Sequence, residues 1–304
     1  IIKQLQLASS SICRDCRELT EFHVNVNSRT PRRLWTASRD AGGQWRSRKA
    51  AGVPEVPPVL VRQLTLSDCF NPTVTGIRWP ERLREIAFGK QFDNSLSGVQ
   101  WPPTLAHVRF GCSFDQPLSR VEFPEGLESL AFGCGFNHPL AGDVCGVKWP
   151  TDLEYLKFGC RFNKTLEHTR LPRGLAVLKF CCLWDHSLAR VDLPDSLQLL
   201  RLGDGFDQPL HSIRFPPSLA YVYLGDSFDQ PLHEVKWPAK LKALYLGDSF
   251  DYPLDVNEWP EGLESLFLGQ SFSEDLDSID VPASLTIHVV GGSSEDSEAV
   301  EWPF

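Results

Sequence analysis

The feature that most restricts this chain is a phrase that returns every 22 residues. LYLGDSF runs from Leu244 to Phe250, and LFLGQSF runs from Leu266 to Phe272. Aligned on the closing aromatic residue, the copies fall at Phe70, Phe92, Phe114, Phe136, Phe162, Trp184, Phe206, Phe228, Phe250 and Phe272. Every step is 22 residues except one of 26, which a four-residue insertion within Ala141–Gly146 explains. The unit reads W/L/F-P-x-x-L-x-x-L-x-F/L-G-x-x-F-D/N-x-P-L-x-x-V-x and recurs about ten times between Pro57 and Pro282. Self-similarity at a period of ~20–50 residues marks a solenoid, because one coil cannot bury its apolar side chains and a stack can.

The slots have physical meanings. In LEYLKFG (Leu153–Gly159), Leu156 and Phe158 alternate with Tyr155 and Lys157, the period-two pattern of a strand. Gly159 tolerates a sharp exit from that strand. Phe162 can bury a large apolar area in the following turn, and Asn163, or Asp in most copies, can bond nearby backbone N–H groups there. Pro209, Pro231 and Pro253 fix the next bend. VKWP (Val235–Pro238) reads as a second short strand ended by proline. The expected fold is mainly β: a right-handed solenoid of about ten coils with one parallel sheet built from the L-x-x-L-x-F/L segments.

Phe206-Asp207-Gln208-Pro209-Leu210 and Phe228-Asp229-Gln230-Pro231-Leu232, each followed by the W/F-P-x-x-L-x-x-L-x-L-G run, resemble the FNIP (IP22) repeats, 22-residue relatives of the leucine-rich repeats. The resemblance covers about 230 of the 304 residues. Trp stands where that family usually has Ile before Pro, and Asp often replaces Asn. The resemblance implies a leucine-rich-like scaffold for protein–protein interaction and names no reaction. Residues 1–56 lie outside it.

Charge divides the chain at the same place. Residues 1–50 carry ten Lys/Arg against four Asp/Glu, and residues 51–304 carry twenty against thirty-five. A basic N-terminal arm or cap (1–56) therefore precedes an acidic solenoid (57–304). The arm interleaves Arg with Trp35 and Trp45, so contact with RNA is a second reading beside a clamp on its own acidic body. The final EWPF stops on the repeat's own Trp-Pro signal, and the expectation is that the solenoid continues. No stretch reaches the ~18 apolar residues of a membrane-spanning helix. Nothing at the start resembles a secretory signal. Nine cysteines without such a signal suit a reducing compartment, so an intracellular, cytoplasmic setting is expected.

In a stack, one slot forms a ladder at ~4.8 Å spacing. One outward strand slot gives Thr65, Ala87, Arg109, Ala131, Lys157, Lys179, Arg201, Tyr223, Tyr245 and Phe267; the other includes His107, Tyr155 and Tyr221. Tyr favours strands in any case. Exposed aromatics beside cations are nonetheless the composition of a binding patch. The expected partner-binding residues are Tyr155, Tyr221, Tyr223, Tyr245, Phe267, Arg109, Lys157, Lys179 and Arg201, the large aromatics standing exposed.

Three groups of residues are of metal-ligand type, and none has the pattern of an established site. Cys112, Cys134, Cys160 and Cys182 share one slot, but a straight ladder supplies a tetrahedral zinc site poorly. Asp204, Asp226 and Asp248 continue that slot and raise calcium as a candidate, against commoner turn chemistry. Cys13 and Cys16 are half of a zinc signature without its second pair. No phosphate-binding glycine loop, HExxH or GxSxG occurs. The expectation is a non-enzymatic scaffold without a cofactor. It binds a protein partner, nucleic acid being the alternative, and does not insert into a membrane.

Overall fold

In the computed structural model, the described residues are 61–66, 68–77, 79–141, 146–254, 259–276, 282 and 285–289, with the backbone of 21–25, 33–39 and 45–48. All the elements among them are strands. β1 (Glu21–Asn25), β2 (Arg33–Arg39) and β3 (Trp45–Arg48) precede the repeats. The repeats supply β4 (Gln63–Leu66), β5 (Glu85–Ala87), β6 (His107–Arg109), β7 (Ser129–Ala131), β8 (Tyr155–Lys157) and β9 (Val177–Lys179). They continue through β10 (Leu199–Arg201), β11 (Tyr221–Tyr223), β12 (Ala243–Tyr245), β13 (Ser265–Leu268) and β14 (Thr286–Val289).

These strands form one sheet in the order β14 down to β4, then β1, β2, β3. The strands β4 to β14 are parallel neighbours, as the repeat requires. β1 pairs antiparallel with β4 (Phe22↔Leu66), and β2 and β3 continue antiparallel beyond it. Part of the basic arm thus extends the sheet at its N-terminal edge. The register survives the long coil: Ser129 pairs with Tyr155 and Leu130 with Leu156 across the insertion. Residues 142–145 of the insertion lie outside the described residues.

Each coil is short because two turns interrupt it. The P-x-x-L segment closes a turn, as in Leu241 N–H to the Pro238 carbonyl at 3.0 Å, and L-x-x-V closes another, as in Val235 N–H to the Leu232 carbonyl at 3.0 Å. VKWP is therefore the exit of a turn and not a second strand; Pro238 has no N–H to give a ladder. The inward slots fill one continuous core. Its spine is the aromatic column found in the sequence: Phe206, Phe228 and Phe250 are fully buried and stack at 6.2 and 6.0 Å. A second column, Phe88, Phe110, Phe132, Phe158 and Phe180, packs beside it, with Phe110 4.1 Å from Phe114.

The Asp/Asn slot joins coils instead of capping a turn within one. Asp207 N–H donates to Asp185 Oδ1 at 3.0 Å, Asp229 to Asp207 at 3.0 Å and Asp251 to Asp229 at 3.2 Å. The same link runs from Asn71 in the first coil to Ser273 in the last. A side-chain acceptor for a backbone N–H that lies off the sheet satisfies a donor the sheet cannot reach. Asn serves as well as Asp because only the carbonyl-type oxygen is used.

Candidate interaction face

The two outward slots stand on one side of the sheet because strand residues alternate faces. The pairing places Arg109 beside Ala131, Lys157 beside Lys179, Arg201 beside Tyr223, and Tyr223 beside Tyr245, with Phe267 next. Tyr155 sits one slot over, beside Val177. All nine residues expected from the sequence therefore share one face, in the predicted order.

Their exposure differs from the expectation. Arg109 and Lys157 are exposed, and Tyr155, Lys179, Arg201, Tyr221 and Phe267 are half-buried. Tyr223 and Tyr245 are each only 3% exposed, so the expectation of exposed rings is corrected for these two. The cause is mutual cover. The two rings stack at 4.3 Å, Arg201 lies 4.3 Å over Tyr223, and Phe267 is tilted 6.2 Å from Tyr245. Phe267 in turn stacks on His288 at 4.6 Å. His288 belongs to the same ladder through its pairing with Phe267, but its strand departs from the repeat phrase, so the sequence pattern does not reveal it.

The electrostatics follow from this packing. The Tyr223 hydroxyl donates to Asp226 Oδ1 at 2.9 Å, and Arg201 lies 3.9 Å from Asp204. Burial, with Asp226 and Asp248 nearby, pushes the Tyr245 hydroxyl up to about 12. Burial also raises Tyr155, which Arg109 and Arg201 partly counter. Lys179 reaches over the Tyr155 ring at 5.5 Å. The central part of the face is thus a cationic band with partly accessible heads, and the C-terminal part is an aromatic stack closed over itself.

Asp204, Asp226 and Asp248 do not gather into a cation site: among the described residues, the one group of three ligand-type side chains close enough to hold a metal is Cys160, Cys181 and Cys182. Burial first, then the charge of Asp226, raises the Asp248 carboxyl. Cys13 and Cys16 lie outside the described residues. The cysteine column is not the straight ladder expected. Cys112, Cys134 and Cys160 follow one another at 3.9 and 3.6 Å, but Cys181 then turns in beside Cys160 at 3.0 Å and Cys182 at 3.3 Å. Burial raises the Cys181 and Cys182 thiols. The signal is present in the sequence as the doubled Cys of FCCLWD, which slot-by-slot reading divides.

The stack of 22-residue coils on one parallel sheet defines a leucine-rich-repeat-like solenoid. Residues 184–227 and 228–271 match the FNIP Repeat family model, so these coils are FNIP repeats. The structure of CroV588, described as a novel circular LRR protein, aligns with a TM-score of 0.70 at 34% identity, over 78% of this chain and 34% of that one. This chain spans about a third of the length of that protein. An internalin, inlF, of Listeria monocytogenes aligns over 74% of this chain and 86% of its own at 13% identity and a TM-score of 0.34. No curated protein matches the sequence. No helix among the described residues is long and apolar enough to cross a membrane.

Proposed function

We propose that this chain is a non-enzymatic scaffold that binds another protein through the outer face of its parallel sheet. The observation that supports it is the cationic band of Arg109, Lys157, Lys179 and Arg201, which runs in register from β6 to β10 of an otherwise acidic solenoid. Lys157, Lys179 and Arg201 stand in consecutive coils, where like charges along a ladder repel. The band therefore suits a partner that presents carboxylates. The cations set orientation and on-rate, and the half-buried Tyr155, Tyr221 and Phe267 offer apolar contact at its margins. Tyr223 and Tyr245 serve as a rigid wall behind Arg201 rather than as anchors.

A photo-crosslinking residue at Lys157, compared with one at Glu122 on another side of the coil, tests this in cells. The expected product is a discrete protein adduct at Lys157 whose linked peptide is acidic, lost when Arg109 and Lys179 are both changed to Glu. Adducts to nucleic acid would favour the basic arm's alternative reading of a ribonucleoprotein component. Equal adducts at both positions would overturn the face as the interface.

A further inference from the structure

Cys181 breaks the rule of its own slot. The position that leaves the strand is Gly89, Gly111, Gly133, Gly159, Gly203, Gly225, Gly247 and Gly269 in eight other coils. The reason is close approach between coils. A Cβ at Gly159 would run into the Gly133 carbonyl, and one at Gly203 into the Cys181 carbonyl. The coil of Cys181 nevertheless carries a thiol there. Where packing reserves a slot for glycine, a side chain needs a compensating reason.

The surroundings supply one. Cys181 Sγ lies 3.0 Å from Cys160 and 3.3 Å from Cys182, and Cys160 lies 3.6 Å from Cys134. The three sulfurs of Cys160, Cys181 and Cys182 all fall within 4.8 Å of one another. Each thiol is half-buried and free, so the sulfurs are neither bonded to one another nor sealed from an entering ion. We propose that Cys160, Cys181 and Cys182 form a zinc-binding thiolate site, with Cys134 the nearest fourth sulfur.

The geometry suits this ion. Zinc takes thiolates at ~2.3 Å in a tetrahedron, whose sulfur–sulfur edges are then ~3.8 Å. The two separations from Cys181 need to open by less than ~1 Å to reach that edge length. Soft sulfur donors favour zinc over magnesium or calcium, and each ligated thiol releases its proton to solvent on binding. The ligands come from two consecutive coils, three with Cys134. The ion would therefore staple coils next to the 26-residue step, where a longer coil interrupts the 22-residue register. The Asp204 carboxylate, whose charge is felt at Cys182, lies on the next coil and adds attraction for a cation.

The test uses the full chain carrying Cys13→Ser, Cys16→Ser and Cys145→Ser, kept reduced and stripped of metal, and titrated with cobalt(II) as a spectroscopic stand-in. One equivalent should produce sulfur-to-cobalt charge-transfer bands and the intense visible bands of tetrahedral cobalt, and zinc should erase both. Cys181→Gly restores the residue that eight other coils carry, so the fold should be kept while the bands are lost. Cys160→Ser should lose them too, and Cys69→Ser, in the first coil, should keep them. No charge-transfer bands in the parent, or bands that survive Cys181→Gly, would overturn the site and leave the cluster as half-buried packing.

Discussion

The coils around Arg109 and the coils around Tyr223 and Tyr245 have nearly the same interior and opposite exteriors. Inside, Val108 and Val222 fill the same strand slot and are both buried, and Phe114 and Phe228 are both wholly buried in the spine. Outside, Arg109 stands between Ala87 and Ala131 and is exposed, whereas Tyr245 stands between Tyr223 and Phe267 and is almost wholly covered. The difference arises from neighbours rather than from the backbone, since both regions hold the same parallel register. Beside alanines a long side chain reaches solvent. Beside other rings it forms a second apolar layer on a face that sequence alternation marks as outward. A ladder position therefore cannot be assigned as exposed from its own slot; the residues one coil above and below decide it.

The largest expected effect is the one that should not distinguish the two regions. Phe114→Ala and Phe228→Ala each remove a fully buried, stacked ring, and each should cost roughly 3–5 kcal/mol. Coupling between adjacent coils should carry the damage to both neighbours. Denaturant melts check this. A cost at Phe114 far below that at Phe228 would mean that the interiors differ as well.

The exterior should separate them. Tyr245→Ala should cost about 2–3 kcal/mol, less than a spine ring because only one face of the layer is core. Arg109→Ala, exposed in its ladder, should stay within about 0.5 kcal/mol. If Tyr245→Ala melts like the parent, the stacked rings add no stability and the reading of Tyr223 and Tyr245 as a structural wall fails. The same ring gives a pH signature. The folded hydroxyl is raised to about 12 from an ordinary 10.0, so the unfolded chain ionises first. Stability from this group is complete below about pH 10 and is lost as pH rises through about 12. Tyr245→Phe should remove that alkaline loss, and tyrosinate absorbance should lose a late-titrating ring in this variant.

A smaller effect comes from the inter-coil acceptors, which both regions share. Asp229→Ala leaves the Asp251 N–H without its acceptor and should cost about 1 kcal/mol. Asp229→Asn should restore most of it, since Asn137 does the same task for Asn163. Equal loss in both variants would assign the effect to charge instead of the hydrogen bond.

The interior is readable because every inward slot states its requirement in residue type. The spine column from Phe70 to Phe272, the apolar strand positions and the sheet register all follow from the 22-residue phrase. Contacts between slots are what the phrase does not contain. Its Asp207 looks like the cap of its own turn, yet its carboxylate accepts from the Asp229 N–H 22 residues away. Cys181 falls outside a column drawn one slot at a time, yet its sulfur meets two members of that column. Tyr223 points outward by its backbone, and its stacked neighbours prevent exposure. Each of these concerns the third dimension of the ladder, where side-chain length and not periodicity decides who touches whom.

The smallest expected effect lies at the edge of the aromatic region, where carboxylates repeat coil after coil. Asp248 Oδ1 is buried without a hydrogen-bond partner, and burial followed by the charge of Asp226 raises its carboxyl above the usual range. A raised carboxyl means that the folded state holds the proton more tightly than the unfolded one. Its contribution to stability is complete at acid pH and is lost as pH rises through the raised folded value. Once ionised, the group opposes folding. Asp248→Asn keeps the shape, removes the repulsion from Asp226 and ends the cost of a desolvated charge. It should stabilise the chain by a few tenths of a kcal/mol, the scale of a surface charge change. The gain should shrink as pH falls and Asp248 protonates. No such change should follow Asp68→Asn, whose carboxylate stands in the opening coil paired with Lys90 at 3.1 Å and open to solvent. Melting curves of the two variants between neutral and acid pH decide it: a gain at Asp248 that does not vary with pH would place its origin in hydrogen bonding and not in charge.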